Sequence, residues 1–130
     1  MTLQIVNEEF SVCKVADYKG IDLSAPFVFT GSTDEEKSLV CPVRLVPEKT
    51  LERNDGWRAF RVAGPLDFSL IGILADLSRI LAEGKVGIFA ISTFDTDYIL
   101  TRSEDFDRAI DLLARAGYSV NSYLCADKAE

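Results

Sequence analysis

The chain has no histidine among its 130 residues. That removes the commonest general acid–base near neutral pH. It also removes the usual zinc sets, since no Cys-x-x-Cys spacing makes up for the missing imidazoles. Cysteine is sparse: Cys13, Cys41 and Cys125 stand singly and are odd in number. They read as reduced, mostly buried thiols rather than as a disulfide framework. Basic clusters are missing as well. With a formal net charge of −7, neither nucleic acid nor a bare anionic membrane surface is an expected partner. No apolar run approaches the ~20 residues of a membrane span. The start, MTLQIVNEEF, lacks the basic region and long apolar region of a secretory signal. A cytoplasmic location is therefore expected. No Gly-x-Ser-x-Gly elbow, P-loop or Gly-x-Gly-x-x-Gly loop occurs. Neither catalysis nor a cofactor or metal is expected.

What remains is an ordinary globular composition, 48% hydrophobic and 27% charged, in a chain long enough for one domain or two very small ones. The second half is the easier to read. WRAFRVAG (57–64) alternates apolar residues with arginines, as a half-buried strand does. After the break at GPLDF, apolar residues fall at Leu70, Ile73, Leu74, Leu77, Ile80 and Leu81, one stripe of an amphipathic helix over Phe68–Glu83. Asp67 or Ser69 is its expected N-cap, and Gly84 its left-handed stop. VGIFAISTF (86–94) is apolar enough for a central strand, and DYILTR (97–102) returns after a tight turn. Ser103 is expected to cap SEDFDRAIDLLARAG, whose Phe106, Ala109, Ile110 and Leu113 share a face and whose stop is Gly117. YSVNSYL (118–124) closes the series. The order β-α-β-β-α-β is the ferredoxin-like plan of the α+β class, two helices on one face of a four-stranded antiparallel sheet.

The first half reads as a weaker copy. Strand-like runs occur at EFSVCKV, FVFTGS and KSLVCPV, but ADYKGIDLSAP offers only a short Gly- and Pro-bounded loop where a first helix belongs. RLVPEKTLERNDG, with Pro47, has room for a short helix at most. Tandem subdomains are expected, a degenerate one at residues 1–61 and a complete one at 62–130. TDEEK (33–37) reads as a solvated turn. STFDTDYIL (92–100) is less plain. Ser, Thr and Asp suit any turn because they satisfy local backbone groups; they also suit a turn that faces a small ligand.

The stretch DGWRAFRVAGPLDFSLIGILADLSRILAEGKVGIFAISTFDTDYIL resembles the ACT-domain family, with GPLDFSLIGIL and ISTFDTDYIL as its closest markers. The resemblance covers roughly residues 55–116, with SLVCP and VPE as supporting fragments. More narrowly the resemblance is to small, stand-alone double-ACT proteins akin to the CASTOR arginine sensors and to aspartokinase regulatory domains. It implies ferredoxin-like ACT units in tandem and a non-catalytic regulatory module. It also implies a small-molecule ligand, an amino acid, held at an interface between units. Exposed sheet edges and the family's pairing imply self-association, a homodimer being the simplest form. The implied site lies where the Gly64–Gly72 loop meets the strand end at Ile91–Asp97. Its candidate residues are Asp67, Phe68, Ser69, Leu70, Ile71 and Gly72 on the loop, and Ser92, Thr93, Phe94, Asp95 and Asp97 on the turn. Asp67 stands five residues before Gly72, so the family's usual Asp-x-x-Gly spacing is stretched.

The residue chemistry suits that ligand. A helix N-terminus near Phe68 offers backbone N–H groups to a carboxylate. Asp67, Asp95 or Asp97 suits an ammonium group, Ser92 and Thr93 are short hydrogen-bonding groups, and Phe94 is a wall for the apolar part. Structural readings stand beside these. Asp67 serves as well for a cap, Asp95 and Asp97 for turn formation, and Ser92 and Thr93 for pairing across strands. The rival function is an interaction module without a ligand.

Overall fold

The computed structural model describes residues 1–63 and 72–122. Its elements are β1 (Thr2–Val15), β2 (Phe29–Ser32), β3 (Lys37–Pro42), a 3-10 turn at Val43–Leu45, β4 (Glu52–Val62), α1 (Ile73–Glu83), β5 (Phe89–Ser92), β6 (Asp97–Arg102), α2 (Ser103–Arg115) and β7 (Ser119–Ser122). The chain divides into two compact units. One, here the helical unit, takes Met1–Asn7 and the described residues from Arg58 onward; the other, helix-poor, takes Glu8–Trp57. The expected division after residue 61 falls inside β4.

In the helical unit the hydrogen-bonded strand order is β7-β1-β4-β6-β5. Five strands stand where four were expected, because the first residues of β1 lie between β4 and β7. Ala63 N–H donates to the Thr2 carbonyl at 2.8 Å beside β4, and Thr2–Ile5 pair in parallel with Ser119–Ser122 on the other side. The extra strand follows from alternation in TLQIV, which sends Leu3 and Ile5 to the same core. That core is Leu3, Phe60, Val62, Leu77, Leu81, Val86, Ile99, Phe106, Ala109 and Leu113. Phe60 meets Phe106 at 6.4 Å between ring centroids, and the Arg58 guanidinium lies 4.3 Å from the centroid of the Phe106 ring.

The helix boundaries differ from expectation in two instructive ways. The expected helix over Phe68–Glu83 does not run through Gly72, which stands at the N-cap of α1 with φ 86° and no side-chain cap bond; the expected caps Asp67 and Ser69 lie outside the described residues. A left-handed residue cannot continue a right-handed helix, and glycine adopts it at least cost. Ser103 likewise is the first residue of α2, with Arg102 at the cap and no side-chain cap bond. At the end of α1, Gly84 has φ −83° and the left-handed residue is Lys85, at φ 62°. Gly84 instead leaves room for Leu112: a Cβ there would meet its terminal Cδ1 methyl, which would have to turn aside. Arg108 of α2 donates to the Gly84 carbonyl. Gly117, at φ 109°, stops α2 as expected.

The helix-poor unit has the order β2-β3-β1-β4, antiparallel between β1 and β3 and between β2 and β3. Leu51 N–H donates to the Lys14 carbonyl at 2.7 Å where β4 approaches the end of β1. No helix forms over residues 16–28. The core of Cys13, Val15, Leu39 and Cys41 is covered by Tyr18, Ile21, Val28, Leu45 and Val46 from loops and the 3-10 turn. The Tyr18 hydroxyl fixes this loop layer by donating to the Ser38 carbonyl at 3.0 Å. Cys13 and Cys41 are free and buried. Burial, then the neighbouring Cys13, pushes the Cys41 thiol up to about 11, so it stays an unreactive thiol at neutral pH. Cys125 lies outside the described residues.

Candidate functional site

The site begins with the β5–β6 hairpin of the helical unit. Its register pairs Phe89 with Leu100, Ala90 with Ile99, Ile91 with Tyr98 and Ser92 with Asp97. Between the strands, the Thr93 N–H and hydroxyl both reach the Thr96 carbonyl, at 2.8 and 3.0 Å. The Thr96 N–H donates back to Thr93 Oγ1 at 3.4 Å. One threonine thus closes the turn, the local bonding for which such residues are favoured there. At its mouth Ser92 Oγ donates to Asp97 Oδ1 at 2.6 Å. Phe94 and Asp95 form the tip, both exposed, Phe94 to 81%.

A buried hydrogen bond anchors this turn. Thr96 is 8% exposed, and its hydroxyl donates to the Val62 carbonyl at 2.6 Å. Val62 ends β4, so the turn is fixed beside the point where the chain departs toward Gly72. Next to it, Arg61 Nε donates to Gln4 Oε1 at 2.9 Å and Nη1 to the Tyr98 hydroxyl at 2.8 Å. The Arg61 guanidinium is half-buried and ties β4 to β1 and β6. Neither Thr96 nor Arg61 stood among the expected site residues. Thr96 was hidden by a turn in which every polar residue looked alike, and Arg61 by its place in a strand.

Asp67, Phe68, Ser69, Leu70 and Ile71 lie outside the described residues. Gly72, the last of the loop candidates, is the N-cap of α1. The positive end of that helix is met by Asp76 in its first turn, where a carboxylate is favourable. Asp76 accepts from the Tyr118 hydroxyl at 2.6 Å and from Arg79 at 2.9 Å. These bonds, Tyr118 first and Arg79 second, hold its carboxyl below the ordinary value of 3.8. The same contact, together with burial as the larger cause, pushes the Tyr118 hydroxyl up to about 12.

The helix-poor unit contains the same hairpin. β2 and β3 pair Phe29 with Val40, Thr30 with Leu39, Gly31 with Ser38 and Ser32 with Lys37. Each pair stands sixty residues before its counterpart in β5 and β6. Thr33 closes this turn as Thr93 closes the other, with N–H and hydroxyl on the Glu36 carbonyl at 2.9 and 3.2 Å. A cleft of about 270 Å³ opens between the end of β1 at Lys14–Ala16, this turn at Thr33–Lys37, and Leu51. Among the described residues no set of three or more acidic or cysteine side chains is placed to hold a metal. No helix there is long and apolar enough to cross a membrane.

A sequence profile of the ACT domain matches residues 52–115. A solved structure of a protein from Agobacterium tumefaciens is 33% identical, with a TM-score of 0.81, over 94% of this chain and 92% of that one. A Vibrio cholerae protein of unknown function is 20% identical, with a TM-score of 0.69, over 86% of both chains. The aspartate kinase of Clostridium acetobutylicum is 13% identical, with a TM-score of 0.64, over 84% of this chain and 32% of the kinase. The last two likenesses concern the fold alone. No curated protein sequence matches the chain.

Proposed function

The chain belongs to the ACT-domain family, and we propose that it is a cytoplasmic sensor binding a free amino acid between ACT units arranged in tandem. ACT domains are regulatory rather than catalytic. The proposed site is the region where the segment from Gly64 to Gly72 meets the turn from Ser92 to Asp97. The observation that carries this reading is the anchored turn. Thr96 ties it to the end of β4, so exposed Phe94 and Asp95 are presented from a fixed base, and a preformed site loses little to ordering. Asp95 offers a charge to an ammonium group, and Phe94 a wall to an apolar side chain. The hydroxyls of Ser92 and Thr93 keep Asp97 and the turn in place. Gly72 and the loop residues Asp67, Phe68, Ser69, Leu70 and Ile71 complete the proposed set, and a homodimer is the proposed assembly. A second reading, an interaction module without a ligand, draws on Phe94, an apolar ring 81% exposed at a hairpin tip.

A thermal-shift screen of the twenty amino acids separates the two. A ligand at a hundredfold excess over its dissociation constant stabilises by ~2.7 kcal/mol, a shift of several degrees for a domain of this size. Calorimetry on Asp67→Ala and Ser92→Trp, with folding checked for each, then tests the site. Wild-type affinity in both would put the ligand elsewhere.

A further inference from the structure

The helix-poor unit carries a second cleft, larger than the one beside its hairpin turn. It holds about 600 Å³ and is lined by Ala16, Asp17, Lys19 and Gly20 on one wall and Pro47, Glu48 and Lys49 on the other. The cleft lies where this unit has loops in place of helices. One wall is the loop after β1, the other the segment between the 3-10 turn and β4. Both walls have backbone that resists collapse. Asp17 accepts the Lys19 backbone N–H at 3.0 Å, and Pro47 has a fixed φ.

The charges make the cleft specific. Each wall presents one acid and one base, Asp17 with Lys19 and Glu48 with Lys49. Among the described residues none of these four side chains is in an ion pair, although the same unit pairs Arg44 with Glu8 at 3.1 Å and Arg53 with Asp55 at 2.9 Å. The lining of one cleft therefore holds two acids and two bases that form no ion pair with one another. A ligand with an ammonium group at one end and a carboxylate at the other bridges the walls, acid to ammonium and base to carboxylate.

A volume of about 600 Å³ lies within the range of small-ligand clefts. The two charged ends of a short peptide stand farther apart than those of a free amino acid, which suits a ligand that reaches from one wall to the other. We propose that this cleft is a second binding site, for a di- or tripeptide with free termini. It is distinct from the amino-acid site proposed for the helical unit and independent of it.

The test is an NMR titration of the full chain with triglycine and trialanine, following the backbone amides of Gly20 and Lys49. The controls are the same peptides acetylated and amidated at their ends. Saturable shifts are expected with the free peptides, and binding at least about tenfold weaker, a loss of ~1.4 kcal/mol, with the capped ones. Lys19→Glu combined with Lys49→Glu should weaken the free peptides by a similar factor. All four charged side chains are exposed, so the double variant should keep the wild-type amide spectrum elsewhere. Equal binding of free and capped peptides, unchanged binding to the double variant, or no saturable shift with either tripeptide would each overturn the assignment. Ser92→Trp tests only the helical unit and the Lys19→Glu, Lys49→Glu double variant only this cleft, so the two proposals fail separately.

Discussion

The hairpins Phe29–Pro42 and Phe89–Arg102 share a register and a threonine-locked turn, and differ in nearly everything around them. What they share is structural: Thr33 and Thr93 use their hydroxyls on their own turns. What differs is where function has to be sought. The tip is Asp34 and Glu35 in one and Phe94 and Asp95 in the other, and the mouth pairs Ser32 with Lys37 or Ser92 with Asp97. Glu36 is exposed, whereas its counterpart Thr96 is buried and bonded to β4. One unit then covers its sheet with two helices, the other with loops. A turn rich in Ser, Thr and Asp is therefore not in itself a sign of a ligand. The residues that depart from the shared pattern carry the proposal.

The largest expected effect contrasts the two cores. Phe60→Ala should cost ~3–5 kcal/mol, because a ring packed under two helices leaves a cavity that rigid elements cannot close. Leu39→Ala, under a layer of loops, should fall near the low end of the leucine range, ~2–3 kcal/mol. Denaturant midpoints measure both; a larger loss at Leu39 would mean that the loop layer is as rigid as the helices.

Gly84→Ala should cost ~0.5–1.5 kcal/mol, the cost of pushing a side chain off its rotamer, since the new methyl would meet the terminal methyl of half-buried Leu112. In a double-mutant cycle Leu112→Ala should absorb much of that cost. Additive losses would instead trace the requirement at Gly84 to its backbone.

Comparable or smaller effects test the hairpins themselves. Thr33→Val and Thr93→Val should each cost ~0.5–1.5 kcal/mol, the worth of an ordinary hydrogen bond, and by similar amounts if the turns are equivalent. Thr96→Val should cost about as much as a buried bond, while Glu36→Ala, at the matching but exposed place, should stay within ~0.5 kcal/mol. Equal losses at Thr96 and Glu36 would remove the asymmetry.

The smallest effect is in the pH dependence. Tyr118 titrates at about 12 in the fold against an ordinary 10.0, so its contribution is complete below pH 10 and lost as pH rises toward 12. Asp76 is shifted the other way; its contribution is present above 3.8 and lost as pH falls below it. Tyr118→Phe should flatten the thermal midpoint at both extremes. A variant as steep as wild type would assign the pH dependence to other groups.

Much of the fold was legible because its signals are local. β6 occupies the expected residues 97–102, and the stripe of Phe106, Ala109, Ile110 and Leu113 identifies α2. The parts that were not legible depend on space or on distant pairing. β1 reads as a strand only from Glu9 because nothing near Thr2 announces a partner at Ser119. The roles of Gly84 and Lys85 differ from expectation because closeness to Leu112 is invisible in a helix-stop pattern. The repeat itself had a readable signal, Phe-x-x-Ser-Thr at residues 29–33 and again at 89–93. In the candidate site the turn's polar residues were legible, but Thr96 was not, since burial separates it from its neighbours and composition does not.

The most direct test uses the two hairpins against each other. Ser32→Trp and Ser92→Trp place the same bulk at equivalent positions, and both serines are exposed, so both variants should fold. The thermal midpoint of each is measured with the amino acid that most stabilises the wild-type chain, at a hundredfold excess over its dissociation constant. The account predicts that Ser32→Trp keeps the ligand's ~2.7 kcal/mol and that Ser92→Trp loses it. An unchanged ligand shift in Ser92→Trp, or a loss confined to Ser32→Trp, would contradict it.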